Sequence, residues 1–197
     1  MPTQIIKKRA RFFVAVEGES EQSFVTWLQV LSQKGLSIHL DAVPLGGGGF
    51  KSMLQKAVRQ HKRRCRTKGA YRDRFLIVDS DRADQRDWSI EKLRLEAAKH
   101  KILVCVQSPN HEGLLLRMMP GMEREIPDAA SAQTKLKSRW PSYQKPVNAH
   151  ALGRQFALDD LLRVASVDSD LATLLKRIGL MAAQANPRDH TVADEKQ

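Results

Sequence analysis

Two short apolar runs, each ending in carboxylates, constrain this chain more than any other feature. Phe12-Phe13-Val14-Ala15-Val16 runs into Glu17-Gly18-Glu19-Ser20-Glu21, and Phe75-Leu76-Ile77-Val78 runs into Asp79-Ser80-Asp81-Arg82. Runs of this length bounded by turn residues read as buried strands. Helical spacing follows the first one at once, through Phe24, Trp27, Leu28 and Leu31, and predicts a strand–turn–helix unit. Ser20 is its expected N-cap, and Lys34-Gly35 its expected close. Ligand sites in open parallel sheets lie outside the carboxyl ends of the strands, so Glu17 and the Asp pair should face a crevice.

The rest of the chain alternates in the same way. Ile38, Leu40 and Ala42 alternate within 37–45, a second strand, and Gly46-Gly47-Gly48-Gly49-Phe50-Lys51-Ser52 follows. The P-loop pattern needs glycine where Phe50 and Leu45 stand, so the plain reading is a flexible turn. The alternative is a phosphate contact through exposed N–H groups at the helix start. A helix is expected over 51–66, a strand over 74–78, a polar loop over 84–87 and a helix over 89–100. Ile102 to Val106 is the next strand, and a helix should begin at Leu114 after the polar Ser108–Gly113. Such alternation predicts an α/β fold with a mostly parallel sheet of about four strands and right-handed crossovers.

After Pro120 the strand signal disappears, and helices are expected over 131–140, 153–165 and 167–180. The chain therefore divides into an α/β domain (1–120), a helical extension packed on it (121–185) and a polar tail (186–197) expected to be disordered.

Charge narrows the partner. The 197 residues carry a net charge of +11, which suits a polyanion such as nucleic acid. From Lys51 to Arg74 the basic residues meet a single acid, Asp73. The plain reading is a solvated face on a generally basic surface; the alternative is that phosphate contacts by Lys51, Lys56, Arg59, Lys62, Arg63 and Arg66 relieve the self-repulsion of a one-signed run. The two cysteines, Cys65 and Cys105, lack the spacing of a zinc site or disulfide framework. With no membrane-length apolar run and no signal-peptide pattern, the expected location is the cytoplasm.

Glu17, Asp79 and Asp81 would bring hard oxygen ligands together at one sheet edge, a set that suits Mg²⁺ or Mn²⁺ and phosphoryl chemistry. Residues two apart in an extended chain share a face, so Asp79 and Asp81 are expected to reach the same point. The plainer alternative makes the two aspartates a turn and a helix cap.

Glu17-Gly18 after one strand and Asp79-Ser80-Asp81 after another resemble the two signatures of the Toprim domain of topoisomerases, bacterial primases and several nucleases. With Ser108-Pro109-Asn110-His111-Glu112 they resemble, more narrowly, the RloB-like Toprim proteins found near prokaryotic restriction and anti-phage loci. Those usually carry an aromatic before the glutamate and a Trp soon after it, where this chain has His111 and no Trp. The resemblance covers roughly residues 11–120.

It implies a Toprim-like fold and a metal-dependent nuclease of anti-phage defence. Glu17 is then the general acid/base, Asp79 and Asp81 hold Mg²⁺ or Mn²⁺, and Glu21 and Glu112 are candidates for a second site. Expected partners are RNA or DNA, and beside it a partner ATPase, another defence component or a second copy of the chain. Only Tyr71 and Tyr143 are present as tyrosines, with no room for a topoisomerase's nucleophile domain, and two cysteines cannot build a primase's zinc module. The rival readings are an RNA-maturation ribonuclease and a non-catalytic binding or regulatory module that kept the fold.

Overall fold

The computed structural model describes residues 9–33, 35–82 and 88–182. The polar loop expected over 84–87 and the tail over 186–197 lie outside the described residues. Strands β1 (Ala10–Val16), β2 (Ile38–Pro44), β3 (Asp73–Asp79) and β4 (Leu103–Gln107) form one parallel sheet in the order β2-β1-β3-β4. Helix α1 (Glu19–Ser32) lies between β1 and β2, α2 (Phe50–Lys68) between β2 and β3, and α3 (Ile90–Ala98) between β3 and β4. The fold is α/β, as the alternating pattern predicts.

Both faces of β1 and β3 are buried, which is why these strands read as unbroken apolar runs rather than alternating ones. Phe12, Val14 and Val16 of β1 and Phe75 and Ile77 of β3 face one core with Phe24, Trp27 and Leu28 of α1. Phe13, Ala15, Leu76 and Val78 face the other, with Phe50, Met53, Leu54 and Ala57 of α2 and Leu93 and Ala97 of α3.

From His111 to the end of the described residues the chain forms helices and loops with no further strand. Helices α4 (His111–Arg117), α5 (Ala129–Arg139), α6 (Ala149–Gln155), α7 (Leu158–Ala165) and α8 (Ser169–Ile178) cover the α1 side. Leu136, Trp140, Leu152, Leu161 and Leu175 belong to the same core as β1 and α1, so the extension and the sheet share buried surface. No helix among the described residues is long and apolar enough to cross a membrane.

Several boundaries differ from the sequence reading for local reasons. Gly18, not Ser20, is the N-cap of α1, because Glu21 Oε2 accepts the Gly18 N–H (2.9 Å) and ties off the first turn. The single helix expected over 153–165 is two. Asn148 Oδ1 accepts the Ala151 N–H (2.8 Å) and starts α6 early, and Phe156 then takes an extended backbone. That break buries the Phe156 ring against Trp140, 5.6 Å away between centroids.

Both exposed strand edges are answered by side chains. At β2, Gln29 of α1 accepts the Leu40 N–H (2.6 Å) and donates to the Ile38 carbonyl (3.3 Å), mimicking a neighbouring strand. At β4, Asp170 accepts the Val106 N–H (2.9 Å), while Arg94 donates to the Val104 carbonyl (2.9 Å) and to Asp170 (2.6 Å).

The turn from β4 into α4 is unusually tight. A Cβ on Gly113 would lie 2.5 Å from Pro109 Cδ and 3.1 Å from the Ser108 carbonyl oxygen. Gly113→Ala should therefore destabilise the protein by about 1–3 kcal/mol, as overpacking does. Gly35→Ala, where a Cβ meets nothing within 4 Å, is the control and should stay within about 0.5 kcal/mol. Urea denaturation of both variants checks the pair; equal midpoints would mean that the turn relaxes freely.

Candidate active site

The strand order creates the site. β1 leads outward to β2, and the chain then returns past β1 to place β3 on its other side. The crevice at such a reversal lies between β1 and β3, whose register sets Ala15 opposite Leu76. Glu17 leaves β1 at this edge and Asp79 is the last residue of β3. Both are buried, as are Glu21 in the first turn of α1 and Glu112 in the first turn of α4. A cleft of about 270 Å³ opens here, lined by Glu17, Gly18, Glu19, Glu21, Asp79 and Lys145.

Asp79 is the centre of the cluster. Its Oδ1 is buried with no hydrogen-bond partner among the described residues. Burial first, then the charges of Glu21, Glu17, Asp81 and Glu112, push its carboxyl up to about 8. Asp81 does not reach the site through an extended chain, as the Asp-x-Asp spacing suggests. The backbone turns into a 3₁₀ segment, Ser80–Arg82, and Asp81 is exposed there. Its N–H donates to the Pro109 carbonyl (2.9 Å), and its Oδ2 accepts from Asn110 Nδ2 (3.0 Å). These bonds fasten the turn after β3 to the turn after β4.

Glu112 is buried beside Tyr143 and Lys145. Its Oε1 accepts the Tyr143 hydroxyl (3.0 Å) and lies 2.7 Å from Lys145 Nζ. Burial works to raise the Glu112 pKa, yet the Lys145 hydrogen bond and charge, with Tyr143, hold it below the usual carboxylate range. Glu112 in turn raises the Lys145 pKa against its own desolvation, with help from Glu21 and Asp79. His111 is buried with Nδ1 3.2 Å from Gln107 Oε1, and burial lowers its pKa, so the ring sits neutral beside the acids.

Sequence reading missed Lys145 and the glycine run as parts of this site. Lys145 lies far along the chain, in a loop with no motif. The glycine run is not a free turn: the Gly46 and Gly47 N–H groups both donate to the Glu17 carbonyl (3.1 Å each). Gly46, Gly47 and Gly48 all have positive φ (71°, 67° and 118°), which side chains other than glycine rarely adopt. A Cβ on Gly47 would lie 3.9 Å from Glu17 Oε1, so this loop walls the carboxylate. Four successive glycines straight after a strand were the available signal.

The basic run divides into parts. Arg64 and Lys68 turn inward to Asp41 (2.6 and 3.5 Å), a buried carboxylate of β2 that also accepts the Tyr71 hydroxyl. Lys56 donates to the carbonyls of Leu45 (3.0 Å) and Gly47 (2.8 Å) and holds the glycine loop. Lys51, Arg59, Lys62, Arg63 and Arg66 are exposed.

A divalent cation fits the chemistry of this donor set, since Asp79 offers a buried, unpartnered oxygen amid acids that repel one another. Among the described residues no three His, Cys, Asp or Glu side chains stand ready around one point. Glu21 is held by Gly18 and Glu112 by Lys145 and Tyr143, so their oxygens are already engaged.

The raised Asp79 pKa makes stability depend on pH. An unfolded Asp ionises near pH 4. The stability tied to neutral Asp79 is fully present below about pH 4 and is lost as pH rises through about 8. Asn keeps the neutral shape, so the melting-temperature gain of Asp79→Asn in EDTA should be larger at pH 8 than at pH 5. A gain that does not change with pH would mean Asp79 ionises normally. No protein-family model, curated protein or solved structure matches the chain.

Proposed function

We propose that this chain is a metal-dependent phosphodiesterase that cuts nucleic acid at the carboxylate edge between β1 and β3. The observation that carries this reading is Asp79, at the end of β3, with a buried oxygen that has no hydrogen-bond partner among the described residues and a carboxyl pushed up by burial and by the surrounding acids. Asp79 and Asp81 would hold Mg²⁺ or Mn²⁺, with Glu21 and Glu112 as candidates for a second site. The bound ion would polarise phosphate oxygens and ease ionisation of a water nucleophile.

The protein's own groups do the rest. Glu17, its backbone fixed by Gly46 and Gly47, takes or returns the proton at the attacking or leaving oxygen. Lys145, half exposed and in the same cleft, can turn its ammonium toward a phosphate. The exposed face of α2 contacts the phosphate backbone without reading sequence. Neighbouring strands carrying Glu-Gly and Asp-x-Asp support an RloB-like Toprim relationship and, with it, a role in prokaryotic anti-phage defence.

One observation favours a non-catalytic binding module instead: the acids do not stand ready around one point, and Glu112 is already neutralised by Lys145. Labelled RNA and DNA, incubated with Mg²⁺, Mn²⁺ or EDTA, separate the two. Cleavage should need the metal, and Glu17→Gln should slow it about 10²- to 10⁴-fold while nucleic acid still binds. Activity undiminished in EDTA would remove the metal from the reading, and tight binding without cleavage under either metal would leave the binding module.

The α2 face has its own test. Replacing Arg59, Arg63 and Arg66 by Ala should weaken binding to all sequences alike and reduce the log–log salt slope by roughly 0.9 for each duplex phosphate no longer neutralised. An unchanged slope would make this face merely solvated.

A further inference from the structure

A cleft larger than that of the carboxylate site lies between α2 and α3, on the opposite sheet face from α1. Its volume is about 600 Å³, and Leu54, Val58 and Trp88 give it an apolar floor. Arg59, Lys62, Arg63 and Arg66 rim it from α2. The sequence of α2 builds both sides: Leu54, Val58 and Lys62 are spaced by four, and Arg59, Arg63 and Arg66 form the next stripe. No ion pair engages these four cations among the described residues. Glu96, on the facing wall, is already answered by Lys92 (3.1 Å) and Lys99 (2.8 Å) of its own helix.

Trp88 is the informative side chain. Trp27 and Trp140 are buried, whereas Trp88 is half-buried, leaning on the α2–α3 core while lining the cleft. A second cavity of about 330 Å³ shares Val58, Lys62 and His100 with the first and continues past Arg74, Lys99 and Lys101. Together they make a basic trough with an aromatic platform at one end. No residue that lines the trough also lines the carboxylate cleft, and at a 1.5 Å rise per residue its far end at Arg63 stands roughly 20 Å along α2 from Phe50.

Cations beside an indole fit a ligand that carries both phosphate and a flat apolar face, and two connected seats fit linked units better than one. A duplex stacks its bases inward and offers none to Trp88. We propose that the α2–α3 trough seats a single-stranded segment of nucleic acid, one base against Trp88 and its phosphates on Arg59, Arg63 and Arg66. This deepens the nucleic-acid reading given above and rests on it, naming an unpaired strand as the form held.

The test uses the full chain in EDTA, so that binding is read without cleavage. Oligouridylate and oligothymidylate of about ten nucleotides, a blunt duplex of the same length, and uridine monophosphate are titrated against tryptophan fluorescence and anisotropy. Both single strands should quench Trp88 and shield it from acrylamide. Trp88→Ala should weaken single-strand binding at least roughly five-fold, Trp88→Phe should retain most of it, and duplex affinity should change less than about two-fold. Arg63→Ser, an exposed change, should weaken single-strand binding too and serves if Trp88→Ala misfolds.

Equal losses on duplex and single strand for Trp88→Ala, unchanged single-strand affinity for Arg63→Ser, or no Trp88 quenching, would overturn the proposal. Uridine monophosphate binding as tightly as the oligomers would also overturn it, making the trough a free-nucleotide site. Preference between the two oligomers tells RNA from DNA within the proposal. Trp88-dependent binding without cleavage under any metal would sink the nuclease reading alone, and cleavage indifferent to Trp88 would sink the trough alone.

Discussion

Pairing between β1 and β3 is the contact on which the rest of the structure depends. It joins two strands about sixty residues apart in sequence, Phe12 opposite Asp73 through Ala15 opposite Leu76, at the centre of the sheet. Both strands are buried on both faces, so their hydrogen bonds form out of water and their apolar side chains fill two cores at once. The same pairing brings the end of β1 beside the end of β3, and with them Glu17 and Asp79. A slip of one residue would exchange the two faces of a strand and misplace its carboxylate.

Around this pair the structure spends polar groups on position. Glu21 caps α1 through Gly18, Asp81 ties two turns together through Pro109 and Asn110, and the glycine loop clasps the backbone of Glu17. Such bonds fix acids where desolvation and mutual repulsion oppose them. The raised pKa of Asp79 is the consequence, and a cation is the simplest counterweight. Lys145, contributed by the helical extension, offsets part of that charge through Glu112.

The two sheet faces have different tasks. The α1 side carries the large core that α4 to α8 complete, including Trp27, Trp140 and Phe156. On the α2 side only α2 and α3 cover the strands among the described residues, and the cleft between them is left open. Asp41 anchors the basic end of α2 to the sheet through Arg64 and Lys68, which leaves the outward stripe of Arg59, Arg63 and Arg66 for solvent or a ligand. A run of one sign is thus part internal counterion and part surface.

By itself the sequence determined the parallel α/β class, the strand positions to within a residue or two, and the acids at the ends of two strands. Those features are local: apolar runs too short for helices, bounded by turn residues, leave little choice of element. The approach of Glu17 to Asp79 was expected from fold pattern, but only tertiary structure decided that β1 and β3 are neighbours. It also decided that Asp81 sits on a 3₁₀ segment tied to Asn110, that Lys56 faces a loop, and that Lys145 joins the site. Each depends on contacts between residues far apart in the chain, whose partners no local spacing encodes. The break at Phe156 belongs with them: helical periodicity continues through it, and only the pocket formed with Trp27 and Trp140 makes an extended backbone there the lower-energy choice.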